Sequence, residues 1–440
     1  MVDKKTKVGL VSLGCPKNLV DSEKMLGILK QKGYDITLDE NNADVVIVNT
    51  CSFIRDAEKE SVQAILSLTE AGKKVIIAGC LAQKYKNELK DAIPEAVGFV
   101  GTADYGRIGE IVDEAMQSSG QTIFEVAENP QYQHIEEAKR FHVSAGASTY
   151  IKIAEGCNYS CAFCVIPSLR GKYTSRTMES IVEEARQLGK EGVSEIILIA
   201  QDTTGYGKDI YGKPSLGTLL EKLNDIEEIS WIRPMYFYPS TFDDGLLGTI
   251  ARLDKVVKYV DIPLQHSHPE ILKLMKRPAI DNGSLIEKIR EKIPDVAIRT
   301  VFITGFPGET EEHFDHLYHF VEKHRFDKLG VFEYSKEKHT ASYGLKGHVS
   351  AKVKKARKKQ LMQLQQGIST EINRSLIGKK LPSIVETVDS YNRITGRTYR
   401  DAPEIDGVIT IKSNMPLNPG DIVNVKVTAA SEYDLFGIAE

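Results

Sequence analysis

Short, unbroken hydrophobic runs dominate the first hundred residues, and three of these runs end in a cysteine. The three runs cover residues 7–15, 44–51 and 74–80. Their β-branched character is typical of strands that are buried on both faces of a parallel sheet. Helix-compatible stretches at 21–32 and 55–71 separate them. The pattern therefore predicts an N-terminal parallel βαβ domain over residues 1–140.

Six further strand-length runs follow, with helix-compatible stretches between them. They cover residues 150–154, 195–200, 233–238, 257–263, 297–304 and 329–332. This alternation predicts a central α/β domain over residues 145–372 that forms an open (β/α)6 barrel instead of the closed eight-stranded form. The polar stretch 121–147 lacks clear periodicity, and we expect it to be a linker.

The last part of the chain has a different pattern. A helix is predicted at 350–378, with a buried stripe formed by Leu361, Leu364, Ile368 and Ile372. Five short strands are then predicted at 381–388, 393–399, 407–411, 421–429 and 435–438. Their Gly, Pro and Asn punctuation favours a small β-barrel over residues 373–440.

The cysteines of the first domain occupy equivalent positions. Cys15, Cys51 and Cys80 each follow a predicted strand, so a parallel sheet would bring them to one edge. A single strand-end cysteine is more often part of the core than a ligand. Three such cysteines, in a domain with no others, favour a three-cysteine metal site.

The other three cysteines form a Cys-x3-Cys-x2-Cys stretch of Cys157, Cys161 and Cys164, here called the cysteine loop. Thiolates select iron–sulfur clusters, and no fourth cysteine lies nearby, so one iron of a cube would stay open. Buried free cysteines and a zinc site are the alternatives. Zinc loops, however, usually come as paired Cys-x2-Cys halves.

Composition places few further limits on function. The 440 residues carry a net charge of −4, with 41% hydrophobic and 27% charged residues, as in an ordinary globular protein. No signal-peptide core is evident, and no apolar stretch approaches the roughly 20 residues that span a bilayer. We therefore expect a cytoplasmic protein with reduced cysteines and no membrane partner.

Several polar residues allow more than one interpretation. His266 and His268 follow a predicted strand, and either act in catalysis or serve as hydrogen-bonding loop residues. Arg170 and Arg176 either pair with an anionic group or are solvated. The basic stretch 352–359 is either a solvated helix face or an RNA contact.

The cysteine loop, with Phe163 before its last cysteine, resembles the signature of radical S-adenosylmethionine (SAM) enzymes. The resemblance implies that the cluster on Cys157, Cys161 and Cys164 binds SAM through its open iron. It also implies SAM contacts at positions spread over the barrel, which are Phe163, Gln201, Gln265 and Phe302.

Other motifs resemble one branch of the methylthiotransferases. Residues 14–18 read Gly-Cys-Pro-Lys-Asn and residues 265–268 read Gln-His-Ser-His, and both motifs are similar to the RimO type. The tail has further motifs at 396–407 and 433–437 and is similar to a TRAM domain of that branch. The tRNA-modifying MiaB type usually has Gly-Cys-Gln-Met-Asn and Gln-Ser-Gly-Ser instead. The resemblance implies two [4Fe–4S] clusters, the second held by Cys15, Cys51 and Cys80. It further implies methylthiolation of the β-carbon of an aspartate in ribosomal protein S12.

The charge of the tail bears on the partner. Residues 380–440 contain six Lys/Arg and nine Asp/Glu, a net charge of −3. A domain that binds phosphates should be basic, so an acidic one suits a basic protein. We expect S12 to bind through this domain, tRNA not to bind, and a reductant such as flavodoxin to supply electrons. The alternatives are a tRNA methylthiotransferase, a non-catalytic iron–sulfur electron carrier, and a zinc-stabilised RNA-binding module.

Overall fold

The computed structural model describes residues 6–117, 121–132, 140–142, 146–278, 280–391 and 393–440. The chain forms two compact units. The first comprises Met1–Ala145, Ala154–Ser160 and Cys164–Thr174, and the second comprises Gly146–Ile153, Cys161–Phe163 and Ser175–Glu440. No helix within the described ranges has the length and apolar character needed to cross a lipid bilayer.

A parallel sheet forms the centre of the first unit. Its strands are β1 (Lys7–Ser12), β2 (Asp35–Thr37), β3 (Val45–Thr50), β4 (Lys74–Gly79), β5 (Gly98–Val100) and β6 (Ile123–Glu125). Its helices are α1 (Pro16–Gln31), α2 (Arg55–Glu70), α3 (Cys80–Tyr85), α4 (Asn87–Ala92) and α5 (Ile108–Gln117). The six strands are all parallel, in the order β2-β1-β3-β4-β5-β6. The predicted parallel βαβ domain is confirmed.

Both faces of this sheet are covered. Val45 and Ile47 of β3 pack with α1 and α5 on one face, and Val46 and Val48 pack with Ile65 of α2 on the other. This is why the strands read as continuous apolar runs.

The three short strands of the first unit were not predicted. β2, β5 and β6 have only three residues each, too few to show a period of two. β6 lies within the stretch 121–147, so the linker prediction was wrong there. Residues 133–139 and 143–145 of that stretch lie outside the described residues.

Between residues 146 and 175, successive short segments of the chain belong alternately to the second and the first unit. This region contains β7 (Ser148–Lys152), β8 (Ala154–Glu155), α6 (Ile166–Arg170) and β9 (Thr174–Ser175). Cys157 and Cys164 belong to the first unit, and Cys161 belongs to the second.

The second unit contains the other five central strands, β10 (Glu195–Ile199), β11 (Trp231–Pro234), β12 (Tyr259–Asp261), β13 (Ala297–Thr304) and β14 (Lys328–Glu333). Its central helices are α7 (Met178–Lys190), α8 (Lys208–Tyr211), α9 (Leu216–Asn224), α10 (Asp244–Arg252), α11 (Pro269–Leu274), α12 (Asn282–Lys292) and α13 (Glu311–His324). The parallel strands form two sheets, β11-β10-β7 and β12-β13-β14. A bridge between Ile232 and Val256 connects the two sheets. Six strands in this order confirm the open (β/α)6 barrel.

One barrel strand ends earlier than predicted. β11 stops at Pro234 instead of residue 238, because proline has no N–H to donate and Tyr236 takes a positive φ of 62°.

The C-terminal part of the second unit comprises α14 (Ala351–Ser375), β15 (Lys380–Val388), β16 (Ile394–Thr398), β17 (Ile409–Lys412), β18 (Ile422–Ala430) and β19 (Leu435–Ala439). The five strands form a closed barrel in the order β15-β16-β17-β19-β18, as predicted.

The buried face of α14 differs from the predicted stripe. Leu361 and Ile368 are buried, but Leu364 and Ile372 are only half-buried. Polar residues complete the buried face, and the Gln365 amide donates to the Phe326 carbonyl at 2.8 Å.

Candidate functional site: two sets of cysteines

Cys15, Cys51 and Cys80, here called the strand-end cysteines, follow β1, β3 and β4. These strands are neighbours in the sheet, so their carboxyl ends bring the three cysteines to one edge, as the sequence predicted. The three thiols are near enough to influence one another electrostatically. Cys15 is exposed, and the other two are buried.

The side chain of Asn18 holds two of the cysteine-bearing loops in place. Its amide nitrogen donates to the carbonyls of Leu13 and Thr50, both at 2.9 Å. Leu13 lies two residues before Cys15, and Thr50 directly precedes Cys51. One buried amide therefore fixes the ends of β1 and β3 relative to each other.

Local backbone geometry allows the cysteines to come together. Gly14 has a φ of +93°, and a Cβ at this position would lie 2.5 Å from the Cβ of Cys51. Only glycine accepts both that conformation and that close approach. The Ser61 hydroxyl accepts the Cys51 N–H at 3.0 Å and donates to the Cys51 carbonyl at 2.9 Å.

The buried thiols are difficult to ionise without a cation. Burial raises the pKa of the Cys51 thiol, and it raises the pKa of the Cys80 thiol to about 11. Cys15 adds to both shifts, and the positive charge of Arg170 opposes them. A bound metal cation reverses this balance, because a coordinating thiol loses its proton.

Arg170 provides fixed positive charge beside these thiols. One guanidinium nitrogen lies 3.5 Å from the Cys80 sulfur, and the other donates to Asp21 at 2.6 Å and to Glu155 at 3.1 Å. These negative groups raise the pKa of Arg170 well above its ordinary value despite its burial. Arg176 is buried too and pairs with Glu184 at 2.5 Å. Both arginines are therefore paired with carboxylates, and the solvated alternative was wrong.

The donor set at the sheet edge suits an iron–sulfur cluster. The three thiols are the soft ligands that such a cluster selects, and the Arg170 guanidinium places a positive charge beside one of them. Among the described residues, no carboxylate or imidazole ligand cluster lies here of the kind that would favour a hard metal ion.

The cysteine loop has its own supports in the first unit. The Cys157 N–H donates to the Gly171 carbonyl at 3.1 Å, and the Cys157 sulfur accepts the Tyr159 N–H at 3.4 Å. Val165, directly after Cys164, packs with Leu169 against Cys80. The segment that follows the cysteine loop therefore contacts one of the strand-end cysteines.

Other supports lie in the second unit. Arg277 donates to the Cys161 sulfur at 3.9 Å and to the Pro263 carbonyl at 2.7 Å. Its guanidinium stacks 4.3 Å from the ring centre of Tyr238. Ala162, the residue after Cys161, donates its N–H to the Met275 carbonyl at 2.9 Å. Each set of cysteines therefore has one arginine beside one of its sulfurs.

The residues predicted to contact SAM differ in their surroundings. Phe302 is fully buried, and its ring packs against Phe320 and Phe326 on the helix side of β13. A side-chain contact from Phe302 to SAM is therefore not supported. Consecutive residues of a strand point to opposite faces, so Ile303 points away from the face that Phe302 occupies. Ile303 packs with Ala162, which directly follows Cys161.

The other three predicted contact residues stay accessible. Gln201, Gln265 and Phe163 are half-buried. Gln265 has a φ of 71°, held by hydrogen bonds of 2.8 Å with Val301 and Ile303 on both sides of its backbone. A non-glycine residue in this strained conformation at a strand end is common at ligand sites.

The histidines at 266 and 268 have structural contacts. His266 is fully buried, with its Nε2 3.5 Å from Glu309, and burial lowers its pKa. The Nδ1 of His268 accepts the Glu270 N–H at 3.3 Å at the start of α11. These contacts favour the hydrogen-bonding interpretation.

His268, Glu270 and His313 also form a cluster whose ligand atoms lie within 4.8 Å of one another. The Nδ1 of His313 accepts the Thr310 N–H at 3.1 Å, and the Nδ1 of His268 accepts the Glu270 N–H. A neutral ring that accepts at Nδ1 carries its proton at Nε2, which then has no lone pair for a metal ion. The rings therefore cap α11 and α13.

Asn18, Glu155 and Arg277 were not among the predicted site residues. The sequence marked Asn18 only as the last residue of the Gly-Cys-Pro-Lys-Asn motif, three residues after a strand-end cysteine. The contacts of Arg277 and Glu155 depend on the fold, and nothing in the local sequence marks them.

Family models match three parts of the chain. The uncharacterized protein family UPF0004 matches residues 7–101, the Radical SAM superfamily matches residues 151–321, and the TRAM domain matches residues 377–439. Of the solved structures, the radical SAM methyltransferase TsrM from Kitasatospora setae has a TM-score of 0.58 at 14% identity. That similarity covers 77% of this chain and 74% of TsrM, and it supports the fold of the described barrel.

Curated relatives are similar over almost the whole length. Ribosomal protein uS12 methylthiotransferase RimO from Prochlorococcus marinus (strain AS9601) is 47% identical, covering 99% of this chain and 96% of the relative. The protein of the same name from Gloeobacter violaceus is 47% identical, with 98% of each chain covered. At this identity and coverage, the chain belongs to the RimO family of radical SAM methylthiotransferases.

Proposed function

We propose that the protein methylthiolates the β-carbon of an aspartate in ribosomal protein uS12. The observation that carries the proposal is the arrangement of the strand-end cysteines at one sheet edge, with the segment after the cysteine loop packed against Cys80. Sulfur insertion requires a sulfur-carrying site close to the site of radical formation, and this arrangement provides ligands for both.

The cofactors are SAM and [4Fe–4S] clusters. We assign Cys157, Cys161 and Cys164 to the cluster that binds SAM, and the strand-end cysteines to a second cluster that carries the sulfur. When bound, SAM and its cluster supply hydrogen abstraction from an unactivated C–H bond, which no side-chain base could deprotonate. Phe163, Gln201 and Gln265 remain the proposed SAM contacts.

The chain's own residues position these groups. Arg170 places positive charge beside Cys80 and links it to Glu155, two residues before Cys157. Arg277 places positive charge beside Cys161. Hydrogen bonds and charge near the sulfurs tune the reduction potential of a cluster, so these two arginines are positioning residues.

We infer three domains with boundaries at 1–140, 145–372 and 373–440, a cytoplasmic location, and a reductant such as flavodoxin.

The acidic last domain remains the proposed docking surface for uS12. Its Arg397, Arg400, Asp401 and Asp406 contact the central barrel. Apart from those four residues, the segment 380–440 carries four basic and seven acidic side chains. The charge that remains available to a partner is therefore net negative.

The test is anaerobic reconstitution followed by iron analysis and mass spectrometry of uS12 and tRNA. The wild-type chain should bind about eight iron atoms and add a methylthio group to uS12. Replacing all three strand-end cysteines by alanine should leave about four iron atoms and reductive SAM cleavage, but no methylthio product. Replacing the three loop cysteines instead should abolish SAM cleavage. An adduct on tRNA and none on uS12 would overturn the proposal.

A further inference from the structure

A strongly basic segment begins at the carboxyl end of the last central strand, β14. Residues 333–359 contain nine lysines and arginines against two glutamates, a net charge of +7 in a chain whose total is −4. Six of these lysines are exposed, and we call them the basic face: Lys336, Lys338, Lys346, Lys352, Lys355 and Lys359.

At the start of α14, some basic side chains are hydrogen-bonded within the protein and others are exposed on the opposite side of the helix. Arg357 is buried and donates to Glu309 at 2.6 Å, and Lys354 donates to the Tyr334 carbonyl at 2.7 Å. Lys352, Lys355 and Lys359 follow one another at spacings of three and four residues, on the side of the helix opposite these two. The described residues give these three lysines no carboxylate partner within 4.0 Å.

The loop that carries the rest of the basic face lies against the cysteine loop. The Ser342 N–H donates to the Ala162 carbonyl at 2.8 Å, and Tyr334 and Leu345 pack around Ala162. The ammonium group of Lys336 lies 4.7 Å from the ring centre of the exposed Tyr343. The basic face therefore adjoins the segment that bears Cys161.

We infer that the basic face binds the phosphate backbone of ribosomal RNA, so that uS12 is modified within the small ribosomal subunit. The inference rests on the proposed function. Exposed lysines without carboxylate partners gain most by releasing counterions from a polyanion, and the neighbouring Tyr343 offers an aromatic surface for an unpaired base. A free basic protein would be repelled by this face.

Binding provides the first test. The triple variant Lys352→Gln, Lys355→Gln, Lys359→Gln removes three outward charges without touching the cysteines. Its binding to purified small subunits and to naked ribosomal RNA should weaken, and the slope of log affinity against log salt should become shallower by about three. The matched control removes three exposed lysines on the outer part of the central barrel, Lys190→Gln, Lys213→Gln and Lys222→Gln. The control should keep the wild-type slope.

Activity provides the second test. For assembled small subunits, the triple variant should raise KM by about tenfold or more with kcat unchanged, because uniform binding is lost. For a peptide carrying the target aspartate, both constants should stay at wild-type values. Equal salt slopes for variant and wild type, or tighter wild-type binding to free uS12 than to the subunit, would overturn the inference. If wild type modifies neither substrate, the proposed function fails, while the binding result still stands.

Discussion

At the scale of single residues, Asn18 controls the geometry of the strand-end cysteines without being a ligand. It is fully buried and donates to one carbonyl beside Cys15 and one beside Cys51. A buried carbonyl that loses its partner costs about 1–3 kcal/mol, so both loops depend on this side chain.

We therefore predict that Asn18→Ala loses the second cluster selectively. After reconstitution and gel filtration, the variant should retain about four iron atoms instead of about eight, and it should still cleave SAM. Asn282→Ala is the matched control, because its buried amide donates to the His266 carbonyl at 3.2 Å and touches no cysteine. Full iron content in Asn18→Ala would contradict the assigned role.

The six cysteines could be predicted from the sequence, whereas the residues that support them could not. A strand-end cysteine is visible because the apolar run before it is local. Arg170 meets Asp21 across 149 positions and Asn18 across 152, and no local pattern encodes such contacts. For the same reason the ring of Phe302 looked available in the sequence, although α13 covers it.

At the scale of elements, β10 and β16 meet through a buried charge cluster. Glu195 accepts from Arg233 at 2.7 Å and from Arg397 at 2.5 Å, and all three side chains are buried. Burial alone would raise the pKa of Glu195, but the two guanidinium groups lower it to about 2. The C-terminal barrel is thus attached to the central barrel by a carboxylate that must be ionised.

This pKa shift predicts a dependence of stability on pH. A depressed carboxyl pKa stabilises the fold above the ordinary value of 4.5, and the contribution is lost as the pH falls towards 2. Glu195→Gln should lower the free energy of unfolding by about 3 kcal/mol at pH 7. The difference from wild type should shrink steadily below pH 4.5, as measured by urea unfolding.

Glu221→Gln is the control for the pH experiment, because Glu221 pairs with Arg252 at 2.6 Å while both remain exposed. It should change stability by no more than about 1 kcal/mol at any pH. A Glu195→Gln difference that stays constant from pH 7 to pH 3 would show that the carboxylate charge contributes nothing.

At the scale of the whole molecule, the motif at 396–407 joins the C-terminal barrel to the central barrel. Arg400 pairs with Asp327, Lys328 pairs with Asp401 at 2.5 Å, and the Tyr259 hydroxyl donates to Asp406 at 2.6 Å. The sequence predicted both barrels because their strands are periodic or cleanly punctuated. It did not predict that this motif joins them, since the partner residues lie on distant strands.

These contacts predict that the central strands of the second unit and the C-terminal barrel unfold together. Separating them would leave Glu195 without Arg397, Lys328 without Asp401 and Asp327 without Arg400, and breaking one buried pair costs about 3–5 kcal/mol. Calorimetry of the full chain should therefore show no separate transition for the C-terminal barrel. Arg397→Met should lower the melting temperature of the whole second unit, whereas Arg393→Met, at an exposed pair with Asp389, should not. An independent low-temperature transition in Arg397→Met, with the central barrel unchanged, would mean that the two barrels are stable apart.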